Sequence, residues 1–285
     1  MSALRRRGMT LVELLVALVL LGIVSTGIYR VLVNNQRIYQ AQTQRIDLQQ
    51  NIRAAASILP AEFRELNASD GDIIAMSSSS ITVRAMRQLA IVCNTPVLGV
   101  ANPVLIIRDQ PFFSMRDFNT ATDSIFVYYE GDEATRNDDG WLPGRITAIA
   151  AGVCPNGGTG RLLTTSLGFG AGQLSQTGRI EIGAPVRGWE RVTYRLYQAP
   201  DAQYYVGLQN SSGTQPLIGP VLTNGFELAY RDSTGATTGV PTRVASIDIT
   251  VRGQTAQPIR QANGALGRPV DSITTRVALR NNRRF

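Results

Sequence analysis

Among the side chains that commonly carry chemistry, this 285-residue chain has carboxylates, hydroxyls, guanidiniums and two thiols, but no histidine. All 28 of its basic residues are arginine, so lysine is missing too. A Walker-type phosphate loop and Schiff-base chemistry each need a lysine, and Ser-His-Asp, Cys-His and His-Glu-x-x-His sites need a histidine. Those architectures are excluded, and an enzyme built on this chain would have to work with a pair of carboxylates. Asp132, Glu133, Asp138 and Asp139 cluster around a turn, but their spacing is not that of a calcium loop, so a solvated loop is the expectation. Asn156-Gly157-Gly158-Thr159-Gly160 and Gly168-Phe169-Gly170-Ala171-Gly172 resemble phosphate loops only superficially, since neither lies between a clear strand and a helix. Neither a metal nor a cofactor is expected.

Cys93 and Cys154 are too far apart for a Cys-x-x-Cys element. In an exported chain they are expected to form one disulfide, worth roughly 4 kcal/mol by loop entropy, in preference to two separate buried thiols. The remaining oddity is Glu13. Arg5, Arg6, Arg7 and Gly8 precede an apolar run over residues 9–29 in which Glu13 is the only charge. A charged side chain at the centre of a membrane helix costs roughly 2.5 to 3.5 kcal/mol, so Glu13 calls for a shallow position or a partner.

The elements that would carry these residues follow from periodicity. As a helix, residues 9–29 would span about 31 Å, close to the thickness of bilayer hydrocarbon. Positive charge is denser before the run (Arg5, Arg6, Arg7) than after it (Arg30, then Arg37), which predicts a cytoplasmic N-terminus and an exported remainder. Over residues 30–66 an apolar stripe of Ile38, Ala41, Leu48, Ile52, Ala55, Leu59, Phe63 and Leu66 predicts an amphipathic continuation of the helix. Arg45 interrupts the stripe, and Pro60 is expected to kink or break it. Residues 67–285 read as one elaborated β domain, with two sub-sheets left open. Strands are expected at 81–86, 104–108, 124–129, 145–150, 179–182, 190–197, 204–208, 225–230, 245–251 and 272–279. Residues 152–183 hold nine glycines and are expected to be long loops, and 199–220 is a second loop-rich stretch. The fold class is α+β: a membrane-embedded helix that continues as an amphipathic helix packed on an antiparallel sheet. The net charge of +7 raises the question of nucleic acid, but removing Arg5, Arg6 and Arg7 leaves +4. Arginines near aromatics at 187–197 and 280–285 allow DNA contact, although a solvated sheet face is the plainer reading.

The string Gly8-Met9-Thr10-Leu11-Val12-Glu13-Leu14-Leu15-Val16-Ala17-Leu18 closely resembles the class III signal of type IV pilins and type II secretion pseudopilins, with Met9 where phenylalanine is usual. The resemblance implies that residues 1–8 are a leader, that prepilin peptidase cuts between Gly8 and Met9, and that Met9 becomes N-methylated. It also implies that Glu13 meets the new amine of an adjacent subunit and sets the register of assembly. Gly22 and Gly27 lower helix propensity within the run, and the resemblance puts Gly22 where such helices loosen on assembly; allowing close helix contact is the other role for the pair, and both stay open. A weaker likeness covers Val192-Thr193-Tyr194-Arg195-Leu196-Tyr197, Pro216-Leu217-Ile218, residues 226–232, residues 244–249 and Thr275-Arg276-Val277-Ala278-Leu279-Arg280-Asn281. These segments look like W-type minor pilins, with J-type pseudopilins close behind. The implied partners are prepilin peptidase, other minor and major pilins, the inner-membrane assembly platform and the inner membrane itself. The implied place is the inner membrane, with the β domain in the periplasm, and then a pilus or pseudopilus.

Overall fold

A computed structural model of the chain describes residues 10–97, 102–114, 116–132, 134, 139–167, 179–261 and 264–280. It opens with one helix, α1 (Leu11–Arg64), of 54 residues and about 80 Å. Thr10 caps it: its backbone is extended and its Oγ1 accepts the Glu13 N–H at 3.3 Å, satisfying one of the helix's otherwise unpaired donors. The expected break at Pro60 does not occur, for the helix continues to Arg64. A proline there forfeits one hydrogen bond, to the Ala56 carbonyl, and its ring is buried in the core. Among the stripe residues, Ile38 is 48% exposed and Ala41 is half-buried, whereas Leu48, Ile52, Ala55, Leu59, Phe63 and Leu66 are buried.

The strands follow as β1 (Ile73–Met76), β2 (Ser80–Ile91), β3 (Val104–Arg108), β4 (Phe113–Ser114), β5 (Asp123–Tyr129), β6 (Gly140–Val153) and β7 (Thr159–Leu167). The second half holds β8 (Pro185–Gln198), β9 (Tyr204–Asn210), β10 (Gly213–Arg231), β11 (Ser246–Gln254), β12 (Ile259–Arg260), β13 (Leu266–Gly267) and β14 (Val270–Ala278). Apart from the β12–β13 pair they form one antiparallel sheet, ordered β14-β11-β10-β9-β8-β5-β6-β7-β3, with β2 on the second edge of β8.

The 14 residues of β8 organise this sheet. One edge pairs with β2 from Ser80–Arg195 to Ile91–Pro185. The other edge is shared, with β5 on residues 186–190 and β9 on residues 193–198. Two cores result. Val192 and Tyr194 join the first, with the buried residues of α1, β10, β11 and β14; Val186 joins the second, with β3, β5, β6 and β7. A register shift between Met86 and Gln88 makes Arg87 an extra residue in β2. It keeps Ile81, Val83 and Ala85 facing the first core and Ala90 facing the second. Beyond β2, Val92 bridges Ile107 and the Cys93 N–H donates to the Ile106 carbonyl at 2.8 Å, so β2, β8, β5, β6, β7 and β3 close into a barrel around the second core. Cys93 and Cys154 form a disulfide at one end of it, across 61 residues.

Three expectations need correction. Of residues 152–183, the described part contains β7, which pairs with both β6 and β3, while residues 168–178 lie outside the described residues. A Cβ at Gly160 would sit 2.7 Å from the Ile107 carbonyl oxygen, so this glycine marks a close approach of two backbones and no loop. The stretch 199–220 is largely the β9–β10 hairpin, turned at Ser211 and Ser212, with Gly213 at φ +121°. Residues 179–182 form no strand: Arg179 makes a single bridge to Glu130 and Ile182 is exposed. By contrast the alternation in β11 buries Ile247, Ile249 and Val251 on one face.

Candidate functional site

The free part of α1 is the most distinctive surface of the molecule. An 18-residue stretch of it is strongly apolar with none of it buried, and Leu18, Val19, Leu20 and Leu21, which step around the helix to four different sides, are all at least half exposed. A helix apolar on every side is stable against lipid or other apolar helices and unstable in water. Glu13 lies in its first turn, exposed, with its N–H held by Thr10. Thr10 and Glu13 have the spacing of a capping box, a signal in the sequence for the start of the helix that the charge argument overlooks. Gly8 and Met9 lie outside the described residues. A Cβ at Gly22 or Gly27 would meet nothing within 4 Å, so this chain's own packing does not require glycine at either position.

The other end of α1 is anchored by specific polar contacts. Asn51 Nδ2 donates to the Gly219 carbonyl at 2.8 Å, and Gln44 Oε1 accepts the Gln257 N–H at 3.0 Å. Phe63 meets the Tyr194 ring edge-on at 5.3 Å. One residue earlier, Glu62 accepts from the Tyr194 hydroxyl at 2.7 Å and from Arg87 at 3.0 Å. Arg87 reaches on to Glu190 (3.8 Å), which Arg116 approaches at 3.2 Å while also holding Asp123 at 2.6 Å. This chain of charges lies between the two cores, because the extra residue Arg87 and the inward-facing Glu190 fall where β8 passes from one core to the other. Burial pushes the Tyr194 hydroxyl well above its ordinary range, and the neighbouring Glu62 carboxylate adds to the shift. Burial alone would lower Arg87, but Glu62 outweighs it and the guanidinium is held more firmly protonated. Asp123 likewise ends below its usual range, with burial opposed by Arg116 and the Asn119 N–H.

The remaining candidates are used structurally. Asp139 accepts from the Tyr128 hydroxyl at 2.9 Å and Asp132 from the Ala134 N–H at 3.0 Å, while Glu133 and Asp138 lie outside the described residues. Among the described residues no three His, Cys, Asp or Glu side chains come together as a metal site. Residues 156–160 make the β6–β7 turn and start β7, with the Asn156 side chain accepting from the Gly158 N–H and no helix following. Residues 168–172 are outside the described residues. Of the arginines considered for DNA, Arg187 lies over the Trp141 ring at 5.3 Å and Arg195 donates to Gln209 at 3.1 Å. Residues 281–285 are undescribed. The linked charges from Glu62 to Asp123 escape sequence reasoning entirely, since no local pattern joins residues 62, 87, 123 and 190.

The model of one family, the prokaryotic N-terminal methylation motif, matches residues 4–29. No curated protein and no solved structure matches the chain. The matched motif indicates a type IV pilin-like or pseudopilin protein that prepilin peptidase processes. The apolar helix carrying the motif is consistent with anchoring in the inner membrane.

Proposed function

We propose that this chain is a W-type minor pilin. It enters the inner membrane with its N-terminus in the cytoplasm and its β domain in the periplasm. It is cut between Gly8 and Met9, N-methylated at Met9, and drawn through its helix into a type IV pilus or the complex that initiates one. The observation that carries this reading is the coincidence of the motif over residues 4–29 with a helix whose first half is packed against none of the described residues while its last turns are bolted to a folded body. Apolar packing against other subunits would hold residues 9–29 in the filament core, and Glu13 would set register by meeting the amine of a neighbouring Met9. Residues 30–66 would then act as the amphipathic stalk beneath the sheet. The W-type likeness is supported by its distribution: the segments carrying it fall on β8, β10, β11 and β14, all strands of the helix-bound core. The role is structural, through noncovalent contacts with other pilins and the assembly platform.

Mass spectrometry of the mature N-terminus tests the processing step. N-methylated Met9 is the expected species; intact Met1, or a start near Ile28, overturns the reading. Deleting the gene separates a pilus from a secretion role. Loss of surface pili with protein secretion intact is expected, and the reverse outcome assigns the chain to the J-type pseudopilins.

A further inference from the structure

Both tryptophans of the chain lie on the outer face of the barrel, away from either core. Val186, Gly188, Ile125, Val127 and Leu142 point inwards and are buried, so the alternation of the strands turns Arg187, Trp189, Phe126, Tyr128 and Trp141 outwards. These side chains form a ladder. Phe126 stacks on Trp189 with ring centroids 5.6 Å apart, and Tyr128 meets Trp141 edge-on at the same separation. Arg84 lies over both Phe126 and Trp189 at 5.3 Å, and Arg187 lies over Trp141 at 5.3 Å. Cross-strand aromatic pairs stabilise a sheet on either face, and Trp and Tyr, with an apolar body and a polar handle, are also enriched on surfaces that bind something.

The ladder borders a cleft of about 570 Å³, within the range of small-molecule sites. Its far wall is the turn that follows α1, which brings Asp70 and Asp72 opposite Trp141 and Arg187. Asp72 is 2% exposed and accepts the Asn67 N–H at 2.9 Å, so the wall is built and not frayed. Asp139 completes the rim, fixed by the Tyr128 hydroxyl.

The mixture of groups narrows the ligand. Three carboxylates in one cleft repel a polyanion, which argues against a nucleic-acid backbone here. A cationic ligand would meet the like charge of Arg187 in the cleft. A neutral ligand whose hydroxyls both donate and accept can use the carboxylates and Arg187 together while laying an apolar C–H face against the rings. We propose that this cleft binds a neutral saccharide, with a sugar ring against Trp141 and Tyr128 and its hydroxyls shared among Asp70, Asp139 and Arg187. This assignment is independent of which secretion or pilus machine the chain serves.

Because Trp141 lines the cleft and the chain has one other tryptophan, Trp189, which does not, the chain's own fluorescence can be made to report on the site. The full chain, carrying Trp189→Phe so that Trp141 alone emits, is kept in a polyoxyethylene detergent, since maltoside or glucoside headgroups would themselves compete. It is titrated with galactose, N-acetylglucosamine, maltotriose, cellotriose and chitotriose. Tetramethylammonium chloride and an oligothymidylate serve as the cationic and polyanionic probes. A saturable change in Trp141 emission with at least one saccharide is expected. Arg187→Gln and Asp70→Asn should each weaken it at least tenfold with circular dichroism unchanged. The proposal is overturned if no saccharide gives a saturable response, if only tetramethylammonium or the oligothymidylate does, or if both variants bind as tightly as the parent.

Discussion

Single side chains in this protein matter most where charge meets an apolar surrounding. Glu13 is the sharpest case, a carboxylate at the head of a helix that is otherwise apolar and exposed. Glu13→Val should leave the chain inserted and stable but strongly reduce its recovery in filaments, as read by immunoblotting of sheared pili; undiminished recovery rules out the register role. The charges between the two cores make a different demand. Arg87 has 11% and Glu62 20% of its side chain exposed, and removing one partner strands the other. Arg87→Leu should therefore cost about 3 kcal/mol in urea unfolding, and adding Glu62→Leu should recover part of that loss. Strictly additive losses would show that the two side chains are not coupled. On the outer sheet face, Asp248 is gripped by Arg276 at 2.5 Å and Arg231 at 2.7 Å, and the hydrogen bond from Arg276 leads in holding its pKa down to about 2. The unfolded carboxyl titrates near 3.9, so the contribution of this contact is complete above about pH 4 and disappears as the pH falls towards 2. Melting temperature measured across that window should fall more steeply for the parent than for Asp248→Asn.

At the level of elements, glycine and proline did the opposite of what their reputation suggests. Pro60 was expected to kink or break α1, yet the helix runs on through it, and so close to the helix end it removes one hydrogen bond and adds a buried ring. Glycines in 152–183 were read as looseness, yet Gly160 lets β7 lie against β3. A methyl group there would press on backbone, so Gly160→Ala should cost about 1 to 3 kcal/mol, although alanine usually favours order over glycine. A neutral or stabilising result by thermal melting would show that the strands can move apart at no cost. The strand runs that alternate cleanly, above all β11, were legible because period-two burial is written in consecutive residues. The short pairs β4, β12 and β13 were not, because two residues carry no periodicity.

The whole molecule divides into a naked helix and a body with two cores joined by β2 and β8. Within the described part of α1, no residue before Leu48 is buried, so removing residues 1–36 takes nothing from either core. The shortened chain should be soluble without detergent and unfold cooperatively with a β-rich circular dichroism spectrum; aggregation or a non-cooperative melt would mean that the free helix supports the fold. What the sequence determined by itself was the processing motif, the apolar run, the lone Glu13 and the exclusion of histidine and lysine chemistry. Each is a property of residue types or of neighbours along the chain, where a local pattern suffices. The tertiary structure decided the rest, including the closure of the barrel through Val92 and Ile107, the charges linking Glu62 to Asp123, and the gathering of Trp141 and Arg187 beside Asp70 and Asp72. Those features join residues as far apart as Glu62 and Tyr194, 132 positions along the chain. Contacts at that range depend on how β8 is shared among three strands, a choice set by the summed pairing and burial of the whole sheet and visible in no single stretch of it.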